Sequence, residues 1–218
     1  MNYKQIFNNE EIRAYYKKGD MILGKLGYTD HSVGHATIVA DKAASIMQYF
    51  QYSEHDVELA RISGFMHDIG NALNRNHHAE YGALLAGDIL RETDMSLEDR
   101  ITVMAAIANH DESTGTAIDP VSAALIIADK TDVRRNRVRA KEMSQFDQHD
   151  RVNYAVIGQN LQFNGDDKTI SLNLQIDESI CTMFDYFEIF LNRMLMCRRA
   201  AEVLGVDFRV KANGQKVL

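Results

Sequence analysis

Through the first two thirds of the chain, apolar residues recur at the three-to-four spacing of helices, whereas parts of the last third alternate with period two. Ala36, Val39, Ala43, Ile46, Met47 and Phe50 place one apolar stripe on a helix predicted from about Ser32 to Phe50. Ser53, followed by Asp56, predicts the cap of a second helix that carries Leu59, Ile62, Phe65, Met66 and Ile69 and is closed by Gly70. A third helix is predicted from near His78 to Arg91, and Ser96 caps a fourth running through Ile101, Met104, Ala105 and Ile107 towards His110. Asp119-Pro120 suits the start of a fifth, which holds the apolar stretch AALIIAD.

From Val152 the pattern changes. Val152, Tyr154 and Val156, then Ile170, Leu172, Leu174 and Ile176, alternate around the turn-like NGDDK and predict a β-hairpin. A long helix from about Glu178 to Leu204 follows, and Val206, Phe208 and Val210 predict a third strand. The expected architecture is mainly α: a helical bundle over residues 1–150, with a hairpin or three-stranded sheet and a long helix over 151–218 packed on its core. No proline- or glycine-rich linker and no internal repeat interrupts the first part.

Composition narrows the function classes. The chain has 218 residues, enough for one sizeable core, and a formal net charge of -7, which argues against general nucleic-acid binding because such proteins displace phosphate counterions with basic surfaces. No apolar run reaches the roughly 18 residues that a membrane span needs, and the first residues are too polar for a signal peptide, so a cytoplasmic protein without membrane contact is expected. Cys181 and Cys197 lack CxxC spacing and are expected to be reduced core thiols. Met183, Phe184, Phe187, Phe190, Leu191, Met194 and Leu195 give the long helix an apolar surface that serves either core packing or a homodimer interface, and both readings stay open.

The candidate chemistry lies in where the histidines fall. His35 is on the core-facing stripe of its helix, His67-Asp68 and His110 end apolar helices, and Asp129 follows the buried-looking run Leu125 to Ala128. A carboxylate there needs a partner, since an isolated buried charge is prohibitively unfavourable, and a bound cation satisfies all of these groups together. Mixed imidazole and carboxylate donors suit divalent first-row metals. His55 and His149 sit in polar stretches and read as solvated, and the basic run Arg134, Arg135, Arg137 and Arg139 reads as a solvated helix face. His31, four residues before His35, reads equally as a substrate contact and as a helix cap. Lys130, adjacent to Asp129 on its helix, is expected to face away from the site.

In the order and context of these residues the chain resembles the HD-domain superfamily of metal-dependent phosphohydrolases. The resemblance runs through His35 in HATIVA, His67-Asp68 in FMHDIGNA, HAEYGALL from His78, NHDESTG from Asn109 and Asp129 in IIADKTDV, over roughly residues 31 to 140. It implies a helical HD bundle with one metal held by His35, His67, Asp68 and Asp129 and a second held by Asp68, His78 and His110. One or two divalent ions (Mn, Fe, Co, Mg, Ni or Zn) are expected as cofactors. His78 is favoured over His77 because Gly82 and Ala83 follow it in the family spacing.

Asn71 stands where related phosphodiesterases carry lysine, Asn109 stands where they carry a histidine, and no GYP follows Gly115, which sets the chain apart from cyclic-dinucleotide phosphodiesterases. The implied activity is hydrolysis of phosphate esters by metal-activated hydroxide, as a phosphomonoesterase or phosphodiesterase on nucleotides or other small phosphorylated metabolites. Asp68 is then the central catalytic carboxylate, Arg75 is expected to contact the substrate's phosphate, and Asp132 is expected to support the centre from behind. Two alternatives stay beside it: a di-iron oxygenase on the same scaffold, and a non-catalytic module that senses a metal or nucleotide.

Overall fold

A computed structural model describes residues 2–139 and 146–218. All the long helices except the one that starts after His77, which has no side-chain cap, begin where a short polar side chain can accept from the first free amides. Asn9, Ser32, Ser53, Ser96 and Asp119 cap α2 (Glu10–Leu26), α3 (Val33–Tyr49), α4 (Glu54–Met66), α6 (Leu97–Ala108) and α7 (Pro120–Lys130). A short α1 (Tyr3–Phe7) precedes them, and α5 (His78–Arg91) follows a single 3-10 turn over Ile69–Ala72. The four helices predicted from Ser32 to His110 and the one at Asp119-Pro120 are all present.

The helix α2 has no counterpart among the predicted elements. Its Ile12, Tyr16, Gly19 and Leu23 are buried at helical spacing, and the Tyr16 hydroxyl donates to the Phe65 carbonyl at 2.6 Å. Burial of Ile12 and Leu23 contributes roughly 2 kcal/mol each. Gly19 faces Asn71 and Ala72 so closely that a Cβ would meet the Ala72 nitrogen at 3.1 Å, and α2 thereby presses on the turn that follows His67-Asp68.

Just past His67-Asp68, the chain approaches itself very closely at Gly70. A Cβ there would lie 2.0 Å from the His78 carbonyl and 2.5 Å from the Gly82 nitrogen, so only glycine lets the 3-10 turn seat against α5. Gly64 does the same between α4 and α3, where a Cβ would lie 2.7 Å from the Ala40 Cα. These two contacts draw together the helices that carry His35, His67 and His78.

In the last third, the strand predicted from Val152 starts later. Residues Gln148–Ala155 form α8, because Asp147 and Asp150 make a reciprocal cap and Val152 and Ala155 turn inward at helical spacing. Strands β1 (Val156–Asn164) and β2 (Thr169–Ile176) then form the antiparallel hairpin, α9 (Met183–Val203) crosses over, and β3 (Asp207–Ala212) returns parallel to β2. A two-residue β4 (Gln215–Lys216) completes a sheet of order β1-β2-β3-β4. The protein is thus mainly α with a small mixed sheet, one strand larger than expected. Helix α9 starts at Met183 rather than Glu178, because Thr182 and Asp185 form its cap. It buries Tyr186, Phe190, Met194 and Cys197, while Phe184 and Leu191 stay exposed. Cys181 and Cys197 are free and buried, and burial pushes the Cys197 thiol up to about 12. Among the described residues no helix is long and apolar enough to cross a membrane.

Candidate metal centre

Four imidazoles converge where α3, α4, α5 and α6 end or begin, and each is held in the same way. His67 donates its Nδ1 proton to the Gly64 carbonyl at 2.8 Å, His110 to that of Ile107 at 2.6 Å and His78 to that of Arg75 at 3.1 Å. His35 donates from Nδ1 to Asp132 Oδ2 at 2.7 Å. With every outward nitrogen engaged as a donor, each imidazole in its neutral form carries its lone pair inward on Nε2, which is the tautomer that a metal takes.

Two carboxylates meet those lone pairs. His35 Nε2 lies 3.2 Å from Asp129 Oδ1 and 3.8 Å from Asp68 Oδ2, and His67 Nε2 lies 3.7 Å and 3.2 Å from the same two oxygens. The other Asp68 oxygen, Oδ1, is 3.6 Å from His78 Nε2 and 4.0 Å from His110 Nε2. One donor atom from each of His35, His67 and Asp129 lies within 4.8 Å of the others, as does one from each of His67, Asp68 and His110. Asp68 therefore stands between two groups of nitrogens with one oxygen turned to each.

The donor set fits divalent cations. His35 Nε2, His67 Nε2 and Asp68 Oδ2 are buried atoms without a hydrogen-bond partner, an arrangement that is strongly unfavourable unless something binds them. His78 Nε2 and His110 Nε2 are 3.2 Å apart with neither bearing the proton, so their lone pairs repel until a cation lies between or beside them. The buried charges are balanced only among themselves. Burial alone would raise the Asp68 carboxyl, but the neighbouring His67 and His31 outweigh it and hold it well below the usual carboxylate range. Asp129 is held low against the same burial by Lys130 and His35. Burial, with help from His67 and His78, keeps His110 well below the ordinary histidine value and therefore neutral, and burial also lowers His78.

Behind the donors the local sequence supplies supports. Asp132 is fully buried under His35, where it also accepts from Arg134 Nε at 2.5 Å, and it does not reach the cavity. Asn71 donates from Nδ2 to Asp68 Oδ1 at 2.8 Å and accepts from Arg75 at 3.2 Å. Arg75 is half-buried over the Tyr28 ring and has no carboxylate within ion-pair distance among the described residues. His77, by contrast, points outward to Glu80.

The centre forms the floor of a cavity with about 150 Å³ of room for water-sized solutes. Its walls include residues that the sequence reading set aside. Lys130 curls back from the end of α7 to donate to Asp129 Oδ2 at 2.7 Å, because its long stem can reverse the direction that its helical position dictates. Arg137, read as solvated, is buried and donates to the carbonyls of Asp30 and Asp132. In the same run, Arg134 pairs with Asp132, Arg135 donates to the Tyr154 carbonyl and Arg139 pairs with Asp20. His31 lines the cavity edge-on to His35, and Asn153 of α8 and Arg193 of α9 close it from the C-terminal part of the chain. No short-range signal marks Asn153 or Arg193; only the packing of α9 on α7 brings the latter in.

Comparison with known proteins places this geometry. An uncharacterized protein of Methanocaldococcus jannaschii is 26% identical over 162 residues, which cover 64% of this chain and 62% of that protein, so the match spans less than two thirds of the relative's length. A solved structure, that of a predicted HD superfamily hydrolase from an uncultured Thermotogales bacterium, is 23% identical with a TM-score of 0.46, covering 62% of this chain and 75% of that one. The HD domain family model matches residues 28–150, more than half of the sequence and every residue of the converging centre, and the chain belongs to the HD-domain family.

Proposed function

We propose that the protein is a metal-dependent phosphohydrolase acting on small phosphate esters. The observation that carries this reading is the pairing of a six-residue donor set, partly without hydrogen-bond partners, with a cationic side chain at the cavity wall that has no carboxylate of its own. His35, His67, Asp68 and Asp129 would hold one ion, and Asp68, His78 and His110 a second. Bound divalent ions supply a water-derived nucleophile at neutral pH and neutralise charge on phosphoryl oxygens.

The chain's own residues do the positioning. Asp68 fixes the spacing of the two groups, and Asn71 fixes Asp68 by holding both its side-chain oxygen and its carbonyl. Asn71 also anchors one guanidinium nitrogen of Arg75, leaving the rest of the planar fork free to take two oxygens of a phosphate. Lys130 keeps the second oxygen of Asp129 satisfied, so that Oδ1 alone turns to the imidazoles. Asp132 holds the His35 ring from behind as a positioning residue.

The test is elemental analysis of the purified protein, followed by a screen of phosphate mono- and diesters after restoring manganese, cobalt or magnesium under anaerobic conditions. Turnover without oxygen is the expected result. A fully metal-loaded protein that hydrolyses no ester overturns the proposal, and oxygen consumption with iron alone would move the protein to the oxygenase reading.

A further inference from the structure

The floor of the cavity accounts for one phosphate. Its rim is cationic beyond that need. Arg75, Lys130 and Arg193 line both the inner cavity over the imidazole–carboxylate centre and a wider recess that opens outward from it, and Tyr28, His78 and Glu112 complete the shared border. Of these three cations Lys130 is paired with Asp129 and Arg75 serves the first phosphate, which leaves Arg193, beside Glu112, as the one the floor does not use.

Of the three, Arg193 has the most distinctive setting. It comes from α9, outside the residues that match the family model, and its side chain is one-fifth exposed. The guanidinium lies over the Phe190 ring at 4.2 Å, and its Nε donates to Glu112 at 3.1 Å. The ring and Glu112 fix the plane of the fork, while its terminal nitrogens carry no hydrogen bond to any described residue. A planar donor held at one edge and open at the other suits a carboxylate or phosphate.

We propose that Arg193 forms a second anion subsite at the neck of the cavity, so that the substrate is a small phosphate ester carrying a further anionic group, phosphate or carboxylate, on its leaving-group side. This rests on the phosphohydrolase reading for the position of the first phosphate. Glu112 tempers the subsite: it holds Arg193 in place and repels an arriving anion, so its removal strengthens binding where removal of Arg193 weakens it.

Two measurements on the full-length, metal-loaded protein test the proposal. The first is equilibrium binding, by calorimetry, of ethylphosphonate against 3-phosphonopropionate, a pair that differs by one carboxylate and cannot be hydrolysed as esters. The wild type is expected to bind the carboxylate-bearing member at least about tenfold more tightly, R193Q to lose most of that preference and E112Q to increase it. Opposite effects from the two sides of one ion pair cannot come from a folding defect. The second is the ratio of kcat/KM for phosphate esters matched in the same way, expected to fall in R193Q through KM.

A wild type that binds both phosphonates equally overturns the subsite, as does R193Q with its preference intact. If no ester is hydrolysed while the binding preference and its loss in R193Q hold, the phosphohydrolase reading fails and the anion subsite stands.

Discussion

The two halves of the donor set are built from the same imidazoles but backed differently. Behind His35 lies a buried carboxylate, Asp132, itself surrounded by Arg134, Arg137 and Lys42 at 2.5, 4.0 and 3.9 Å. Behind His78 and His110 lie main-chain carbonyls, with Asp111 3.5 Å from His78 as a partly exposed addition. The first half also faces two carboxylates, Asp68 and Asp129, whereas the second has only the remaining oxygen of Asp68. If both halves take a cation, more negative charge and a charged support would make the first the stronger site, and the carbonyl-backed half, open to the cavity, the weaker and more exchangeable one. On the proposed function, such a pair would divide the labour between holding the centre together and meeting substrate.

Asp68 belongs to both halves, and its loss breaks the comparison altogether. Asp68→Ala is expected to lower phosphatase turnover by about a thousandfold or more with the fold retained, checked by steady-state kinetics beside circular dichroism. Unchanged turnover in metal-loaded mutant protein would count against the shared role. Next in size are two variants that separate the halves. His35→Ala should abolish the tight ion, while His110→Ala should keep it and lose only the weaker one, as read by metal content after dialysis. Equal losses in both variants would erase the distinction.

How far the sequence could reach follows the same division. His35, His67-Asp68, His110 and Asp129 are legible because each sits at a helix end or stripe whose period can be read locally, His78 comes only from the resemblance to the HD-domain family, and the structure brings all six together. The supports and the rim were less legible. The helical angle of Lys130 predicts an outward side chain, but a four-carbon stem at the last residue of α7 is free to turn back. Arg137 was read as part of a solvated run because charge runs usually are; its burial depends on two carbonyls, of Asp30 and Asp132, brought near by tertiary packing. The alternation of Val152, Tyr154 and Val156 predicts strand where helix α8 stands, because the Asp147–Asp150 cap outweighs three alternating residues. Helix α2 carried a readable stripe at Ile12, Tyr16, Gly19 and Leu23.

The charged backing of His35 sharpens the comparison further. In Asp132→Asn the His35 ring keeps an acceptor of similar shape but loses the charge, and Arg134 and Lys42 lose their counter-ion. Affinity for the tight ion is expected to fall by about 10- to 100-fold, measured by competition with a chelating dye. Asp111→Asn, beside the carbonyl-backed His78, should have the smaller effect. If the two variants weaken metal binding equally, the backing does not separate the halves.

The smallest expected effect comes from Lys42, which donates to the Thr131 carbonyl at 3.2 Å beside Asp132. Burial, reinforced by Arg134 and Arg137 and opposed by Asp132, lowers its pKa to about 8. An unfolded lysine titrates near 10.4, so between these values the unfolded chain binds the proton more tightly than the folded one, and stability contributed at this site rises with pH. Below pH 8 the folded protein bears the full penalty of a buried ammonium, and that penalty fades as pH climbs towards 10.4. Urea unfolding of wild type and Lys42→Met should therefore diverge in favour of the wild type by on the order of 1 to 2 kcal/mol between pH 8 and pH 9.5. A difference that stays flat across this window would mean that Lys42 is well solvated, and the first half would lose part of the charged support that distinguishes it from the second.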